Sequence, residues 1–275
     1  MRGEVVRLEA TWQAVLTRHD YPQAVRDLLG EMMAATALLA ATLKFEGSLI
    51  MQIQGSGPVS LMVVECDSAF HLRATAKCEP EPQGTSLREL LGDGKFVITI
   101  DPGQGGQTYQ GVVALEGHSV AAALEYYMLN SEQLETRLWL AADGQRACGL
   151  LLQRLPERVS EDEDGWNRAT QLGATVRRTE LLSLPAREVI HRLFHEEDLR
   201  LFDPEPVSFR CACSRERVSN MLRMLGLDEV RSILAERGQI DIRCEFCNQN
   251  YLFDAVDSEQ LFAAEVLTHV GATRH

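Results

Sequence analysis

The spacing of apolar residues changes repeatedly along the first half of the chain, and each change marks an expected element. Glu4–Leu8 alternates as a strand, and Ala10–Thr17 has helical spacing. His19-Asp20-Tyr21-Pro22 then opens a long helix, with Asp20 suited to cap it and Pro22 to sit in its first turn. From Met32 to Leu43 this helix reads MMAATALLAATL, apolar or small on every face. A helix hydrophobic all round is buried all round. The run is too short to cross a bilayer and fits a core helix between two layers of structure.

After Gly47 the period drops to two. Leu49–Gln54, Val59–Glu65 and His71–Cys78 read as strands, the first two joined by the turn Gly55-Ser56-Gly57-Pro58. A short helix is expected at Ser86–Leu91, then strands at Phe96–Ile100 and Thr108–Leu115. Between those strands, Pro102-Gly103-Gln104-Gly105-Gly106 lacks the lysine and following helix of a phosphate loop, and reads as a hairpin connection. Ser119–Asn130 has helical spacing, and Thr136–Leu140 and Ala147–Arg154 close the pattern as strands. The expected fold is α+β: a three-layer β/α/β N-terminal domain with a buried helix, residues 1–156.

Composition shifts at Glu157. The acidic run Glu161-Asp162-Glu163-Asp164 precedes two amphipathic stretches. One carries Trp166, Ala169, Leu172 and Val176; the other, opened by Pro185, carries Val189, Ile190, Leu193 and Phe194. Residues 157–206 hold 12 acidic and 7 basic side chains, so these helices bury only a thin stripe and depend on docking elsewhere. This segment is a charged helical linker. It either packs statically on the first domain or is metastable and comes loose when its support is removed.

From 207 to 275 a small C-terminal domain is expected. Ser214 can cap a helix bearing Val218, Met221, Leu222 and Leu225. Asp228 can cap a second, with Val230, Ile233 and Leu234, stopped at Gly238. Gln239–Arg243 and Tyr251–Phe253 suit a hairpin, and Ser258–Val270 a last helix. Four of the seven cysteines of the chain lie here, as Cys211-Ala-Cys213 and Cys244-Glu-Phe-Cys247. Two such turns brought together make a tetrahedral thiolate site, for which zinc is the expected ion, one per chain. With so little core, the domain would draw much of its folding free energy from the metal.

Two readings of the four thiols stay open, a structural zinc knot and a redox switch. Thiolates about 2.3 Å from a tetrahedral zinc lie about 3.8 Å apart, against about 2.05 Å in a disulfide. Pairing Cys211 with Cys213 and Cys244 with Cys247 requires the least chain movement. The remaining Cys66, Cys78 and Cys148 read as ordinary, partly buried residues.

Charge and composition narrow the function. A net charge of -13 argues against nucleic acid as partner, and residues 208–275 hold 8 Arg against 10 acidic residues around the metal site. Arg215, Arg217 and Arg223 then read as a solvated helix face. No basic-then-apolar opening and no bilayer-length apolar run is present, so a reducing cytoplasm is the expected compartment, with no membrane partner. Four cysteines leave no open coordination position for catalysis. His191 and His195, four apart on a helix, have no third ligand nearby in sequence. No enzyme is expected.

The run Phe209-Arg-Cys-Ala-Cys-Ser-Arg-Glu-Arg217, with Cys244-Glu-Phe-Cys247 and Tyr251-Leu-Phe253, resembles the redox-regulated bacterial thirty-three-kilodalton heat-shock chaperonin family. Further matches are Arg2-Gly3-Glu4, His19-Asp20-Tyr21-Pro22, Ala41-Thr-Leu-Lys-Phe45, Tyr109-Gln-Gly-Val-Val113, Ser131-Glu-Gln-Leu134 and Leu193-Phe-His-Glu-Glu197, so the resemblance spans essentially the whole chain. Members of that family commonly carry a short segment before the first of these motifs. The resemblance implies an ATP-independent holdase, dormant when reduced and zinc-bound. Oxidation forms two disulfides, expels zinc and unfolds the C-terminal module and linker, and the active form dimerises and holds unfolding proteins. Cys211, Cys213, Cys244 and Cys247 take the ligand and switch roles. The expected client surface is the linker stripe of Trp166, Leu172, Val176, Val189, Ile190, Leu193 and Phe194, with any face of the first domain it covers. The rival is a constitutive binding or scaffold protein with a purely structural zinc.

Overall fold

A computed structural model describes residues 1–43, 46–84, 86–103, 106–113, 115, 118–156 and 164–270, with side chains as far as residue 263. The acidic run at 161–163 and Gln104 and Gly105 of the glycine-rich connection lie outside these residues. The chain divides into two compact units, Met1–Arg210 and Cys211–His275.

The first unit runs β1 (Arg2–Leu8), α1 (Ala10–Leu16), α2 (Gln23–Thr42), β2 (Ser48–Gln54), β3 (Val59–Asp67), β4 (His71–Cys78), α3 (Leu87–Leu91), β5 (Lys95–Asp101), β6 (Tyr109–Val113), α4 (Val120–Asn130), β7 (Thr136–Ala142), β8 (Ala147–Gln153), α5 (Gly165–Gly173), α6 (Arg178–Ser183), α7 (Ala186–Phe194) and β9 (Ser208–Phe209). Its strands form two sheets, β1-β8-β7 and β6-β5-β2-β3-β4-β9, antiparallel except for β9, which pairs parallel with β4. Helix α2 packs on β1, β7 and β8 of the one and on β2, β3 and β4 of the other, giving the expected three layers. Every residue from Met32 to Ala40 is buried. Small side chains let the sheet come close: a Cβ on Gly30 would lie 2.5 Å from the Ala142 Cβ and 3.1 Å from the Trp12 ring. The buried Thr36 hydroxyl is satisfied within the helix, donating to the Met32 carbonyl at 2.7 Å.

The start of α2 differs from expectation. Pro22 itself holds the N-cap position with extended backbone, and no side chain caps the helix, so Asp20 has no such role. The entry is fixed instead by Tyr21, whose hydroxyl accepts the Ala76 N–H of β4 at 3.2 Å.

The segment after 164 holds three helices where two amphipathic stretches were expected, and Val176 lies in the connection between α5 and α6. Helix α6 is six residues long, too short to show a period. These helices cover the outer face of the three-stranded sheet. Ala169, Leu181, Leu182, Val189, Leu193 and Phe194 form a second core with Ala141, Cys148, Leu150 and Leu152; Trp139, Trp166, Leu172, Val176 and Ile190 are partly buried around it. Strand β8 is consequently buried at all seven positions. Leu151 joins the α2 side and Cys148, Leu150 and Leu152 the linker side. Close approach recurs here, since a Cβ on Gly173 would lie 2.5 Å from the Trp139 ring. Polar ties complete the docking. Arg7 donates to the Leu182 and Leu184 carbonyls at 3.1 and 2.9 Å, and Arg146 to Leu182 at 3.2 Å, closing the carbonyl end of α6.

Strand β9 was not foreseen. Two residues show no alternation, and its place is set by contacts: Ser208 and Arg210 N–H groups donate to Phe70 and Leu72, and Arg18 stacks over the Phe209 ring at 4.2 Å.

The second unit runs α8 (Arg215–Leu225), α9 (Leu227–Arg237), β10 (Ile240–Arg243), β11 (Asn250–Phe253) and α10 (Ala255–Val270). The strands pair as an antiparallel hairpin. Its core is Leu222, Val230, Ile240, Phe253 and Phe262. Ser214 caps α8 as expected, accepting the Arg217 N–H at 3.2 Å. Asp228 does not cap α9. Gly226, at φ 92°, both ends α8 and precedes α9, which leaves Asp228 in the first turn, where its charge still favours the helix. Helix α10 starts at Ala255, three residues earlier than expected, because Asp254 and Asp257 bond each other's backbone N–H groups. Arg215 and Arg223 are more than a solvated face. Arg215 stacks over Phe253 at 4.2 Å and meets Asp257 at 2.8 Å, and Arg223 donates to the Leu261 carbonyl at 3.2 Å.

Two predictions follow from this packing. Gly173→Ala should push α5 off Trp139, destabilising the docked linker by about 1–3 kcal/mol. Cys148, 1% exposed beneath these helices, should then react faster with a thiol reagent, followed by mass spectrometry. The second concerns Glu31 on α2, whose carboxyl burial raises from 4.5 to about 7, opposed by Arg178 and reinforced by Asp27. The folded state therefore holds the proton more tightly, and stability falls as pH rises between those values. Glu31→Gln should raise the thermal midpoint at pH 8 and leave it near wild type at pH 5.

Candidate metal centre

The four clustered cysteines come from two local turns. Cys211 and Cys213 precede α8, and Cys244 and Cys247 lie in the connection between β10 and β11. That connection is shaped by its own backbone: the Cys244 N–H donates to the Gln249 carbonyl and the Asn248 N–H to the Cys244 carbonyl, each at 2.9 Å. Asn248 takes a left-handed conformation, φ 60°, which asparagine tolerates better than most residues.

All four sulfurs lie within 4.8 Å of one another, the only such His/Cys/Asp/Glu group among the described residues. Cys211 Sγ is 3.6 Å from Cys244 Sγ, and Cys213 Sγ is 3.3 Å from Cys247 Sγ. These contacts run between the turns, whereas the disulfide pairs expected from sequence run within them. Each sulfur is half-buried.

Backbone N–H groups converge on the sulfurs: Cys213 on Cys211, Phe246 and Cys247 on Cys244, and Gln249 on Cys247. Such donors favour thiolate over thiol. Burial raises the Cys211 thiol, yet the Cys213 N–H and the neighbouring thiols outweigh it and bring Cys211 down to about 7. Burial and adjacent sulfur push Cys244 and Cys247 up. Cys211 thus ionises more readily than Cys244 and Cys247. Four thiolates this close require a cation among them, and soft sulfur donors at these separations fit a tetrahedral divalent ion.

Sequence reasoning did not reach Tyr251 on β11, whose hydroxyl donates to Cys213 Sγ at 3.1 Å. The bond to the Cys213 sulfur pushes the phenol up to about 12. Its position in a strand returning past Cys247 is the signal that could have found it.

The other proposed residues lie elsewhere. Val189, Leu193 and Phe194 are buried in the linker core, with Trp166, Leu172, Val176 and Ile190 at its rim. His191 and His195 are exposed, rings 5.6 Å apart, and join no ligand group. Cys66 and Cys148 are buried, their thiols raised by burial to about 12 and 11. No helix among the described residues is long and apolar enough to cross a membrane.

Fold and site together define a β/α/β protein carrying a small four-thiol module that can hold a soft metal ion. The chain belongs to the Hsp33 protein family, which matches residues 1–254. The 33 kDa chaperonins of Methylobacillus flagellatus and Chromobacterium violaceum are 53% and 54% identical to it over 277 residues, spanning all of this chain and 94% of theirs. The crystal structure of the 33 kDa chaperonin of Thermotoga maritima shares the fold, with a TM-score of 0.83 at 22% identity over 96% of this chain and 94% of that one. Family membership supports a chaperone function.

Serine in place of any one of the four cysteines offers a hard, neutral oxygen where the site needs a thiolate. Metal affinity should fall beyond the roughly 10–100-fold typical of a lost outer-shell partner, read by chelator competition and metal analysis.

Proposed function

We propose that this chain is a redox-regulated, ATP-independent holdase of a reducing cytoplasm, dormant with zinc on Cys211, Cys213, Cys244 and Cys247. The observation that carries this reading is four half-buried sulfurs within 4.8 Å in a unit with only five buried core residues among those described. Bound zinc would keep the four sulfurs deprotonated and apart. The chain's own thiolates then supply the chemistry. A thiolate attacks peroxide, displacing hydroxide and becoming a sulfenic acid; the second thiolate of the same turn displaces a further hydroxide to close the disulfide. Two electrons pass to each peroxide, and both hydroxides leave as water after protonation.

With its ligands spent as Cys211–Cys213 and Cys244–Cys247, the module has little left to hold its hairpin and helices together. Residues 157–206 act as a separable linker between an N-terminal body, 1–156, and a switch domain, 207–275. Its release frees the stripe of Trp166, Leu172, Val176, Val189, Ile190, Leu193 and Phe194, and with it the sheet face of Ala141, Leu150 and Leu152 that this stripe covers. Both surfaces suit unfolding client proteins, which expose apolar side chains of no fixed sequence. Exposed apolar faces of this kind also favour pairing of two oxidised chains as a homodimer.

Light scattering from a heat-unfolded test protein decides the matter. The peroxide-oxidised chain should suppress aggregation and the reduced, zinc-loaded chain should not, while peptide mapping finds disulfides within each turn. Equal suppression by both forms would instead mark a constitutive binder with structural zinc. Disulfides bridging the two turns would overturn the pairing.

A further inference from the structure

The donors to the four sulfurs are not equivalent. Besides the contacts of the sulfurs with one another, those to Cys211, Cys244 and Cys247 are backbone N–H groups from the same turn as the sulfur they serve. The Tyr251 hydroxyl is a side-chain donor, and it crosses from the hairpin arm to Cys213 in the other arm. Tyr251 sits opposite Ile242 in the β10–β11 ladder and packs at the margin of the small core, so its ring is held by strand and packing alike. A donor so placed withdraws charge from one thiolate and ties the hairpin arm to the other cysteine arm through a side chain that is not itself a ligand.

We propose that Tyr251 is a positioning residue that holds Cys213 as the protected anchor of the site and slows its oxidative loss of metal. The assignment rests on the redox reading above. A hydrogen-bonded thiolate is a weaker nucleophile toward peroxide than a free one, just as nucleophilicity falls with thiol pKa. Sulfur held in ligating position also rebinds the ion before a neighbouring thiolate can reach it. Partners of this outer kind are typically worth about 10–100-fold in metal affinity.

Tyr251→Phe removes the hydroxyl and keeps the ring. In the full chain, peroxide-triggered zinc release, followed with a chromogenic chelator, should be about 10-fold faster. In the cobalt-loaded chain the sulfur-to-cobalt absorption should move to longer wavelength, because sulfur relieved of a hydrogen bond gives up charge more readily. An unchanged release rate overturns the assignment. So does faster release with an unmoved cobalt spectrum, which would mean that the hydroxyl acts through packing alone. A chain that takes up no cobalt overturns both this assignment and the metal reading. Client holding is scored separately by scattering: if the oxidised wild type holds no client, the redox reading falls, while release rate and spectrum still decide Tyr251.

Discussion

A strand that is apolar on both faces cannot stand at a protein surface, and β8 is such a strand. Its seven residues, Ala147-Cys-Gly-Leu-Leu-Leu-Gln153, are all buried, which requires a cover on each side. The α2 side is satisfied by a helix that is itself buried all round. The other side is satisfied by three short helices, held by the core they share with this sheet and by the arginine bonds to the end of α6. Taking them away would expose Leu150 and Leu152 together with their own stripe. The arrangement of the first unit, and the surface it can offer a partner, both depend on this two-sided burial.

The second unit lives under a different constraint. Its core is five residues, and much of its cross-bracing is polar, through Arg215, Arg223 and the Asp254–Asp257 cap. Such a unit has little hydrophobic reserve, so the state of four sulfurs weighs heavily in whether it stays folded. A cation held among them would neutralise the sulfurs and draw the two arms together, which mutual repulsion or protonation would not do.

Much of this was legible in the sequence because it rests on long periods or fixed spacings. The all-round apolar run of α2 announced a central layer, and the two cysteine pairs announced the centre before any fold was known. What escaped is short or nonlocal. Six residues of α6 and two of β9 are too few to carry a period, so their places come from contacts with strands far away in sequence. Asp20 and Asp228 had the right chemistry to cap but lost to Pro22 and to Gly226, whose backbone angles suit the entries better. The bond from Tyr251 to Cys213 needs the register of the hairpin, which residue types alone do not give.

The two arginines that close the carbonyl end of α6 have a consequence for the face beneath. Arg7 is paired across the ladder with Cys148, and Arg146 lies two residues before that cysteine, with Glu9 bridged to both arginines. Wherever α6 lifts, these guanidiniums lose their carbonyl partners but stay on the sheet. The uncovered surface is then an oily patch with a cationic border, on a chain whose net charge is otherwise strongly negative. Its grip would extend to the peptide carbonyls and carboxylates of whatever lands there, giving a sticky surface a polar handle and a preferred orientation.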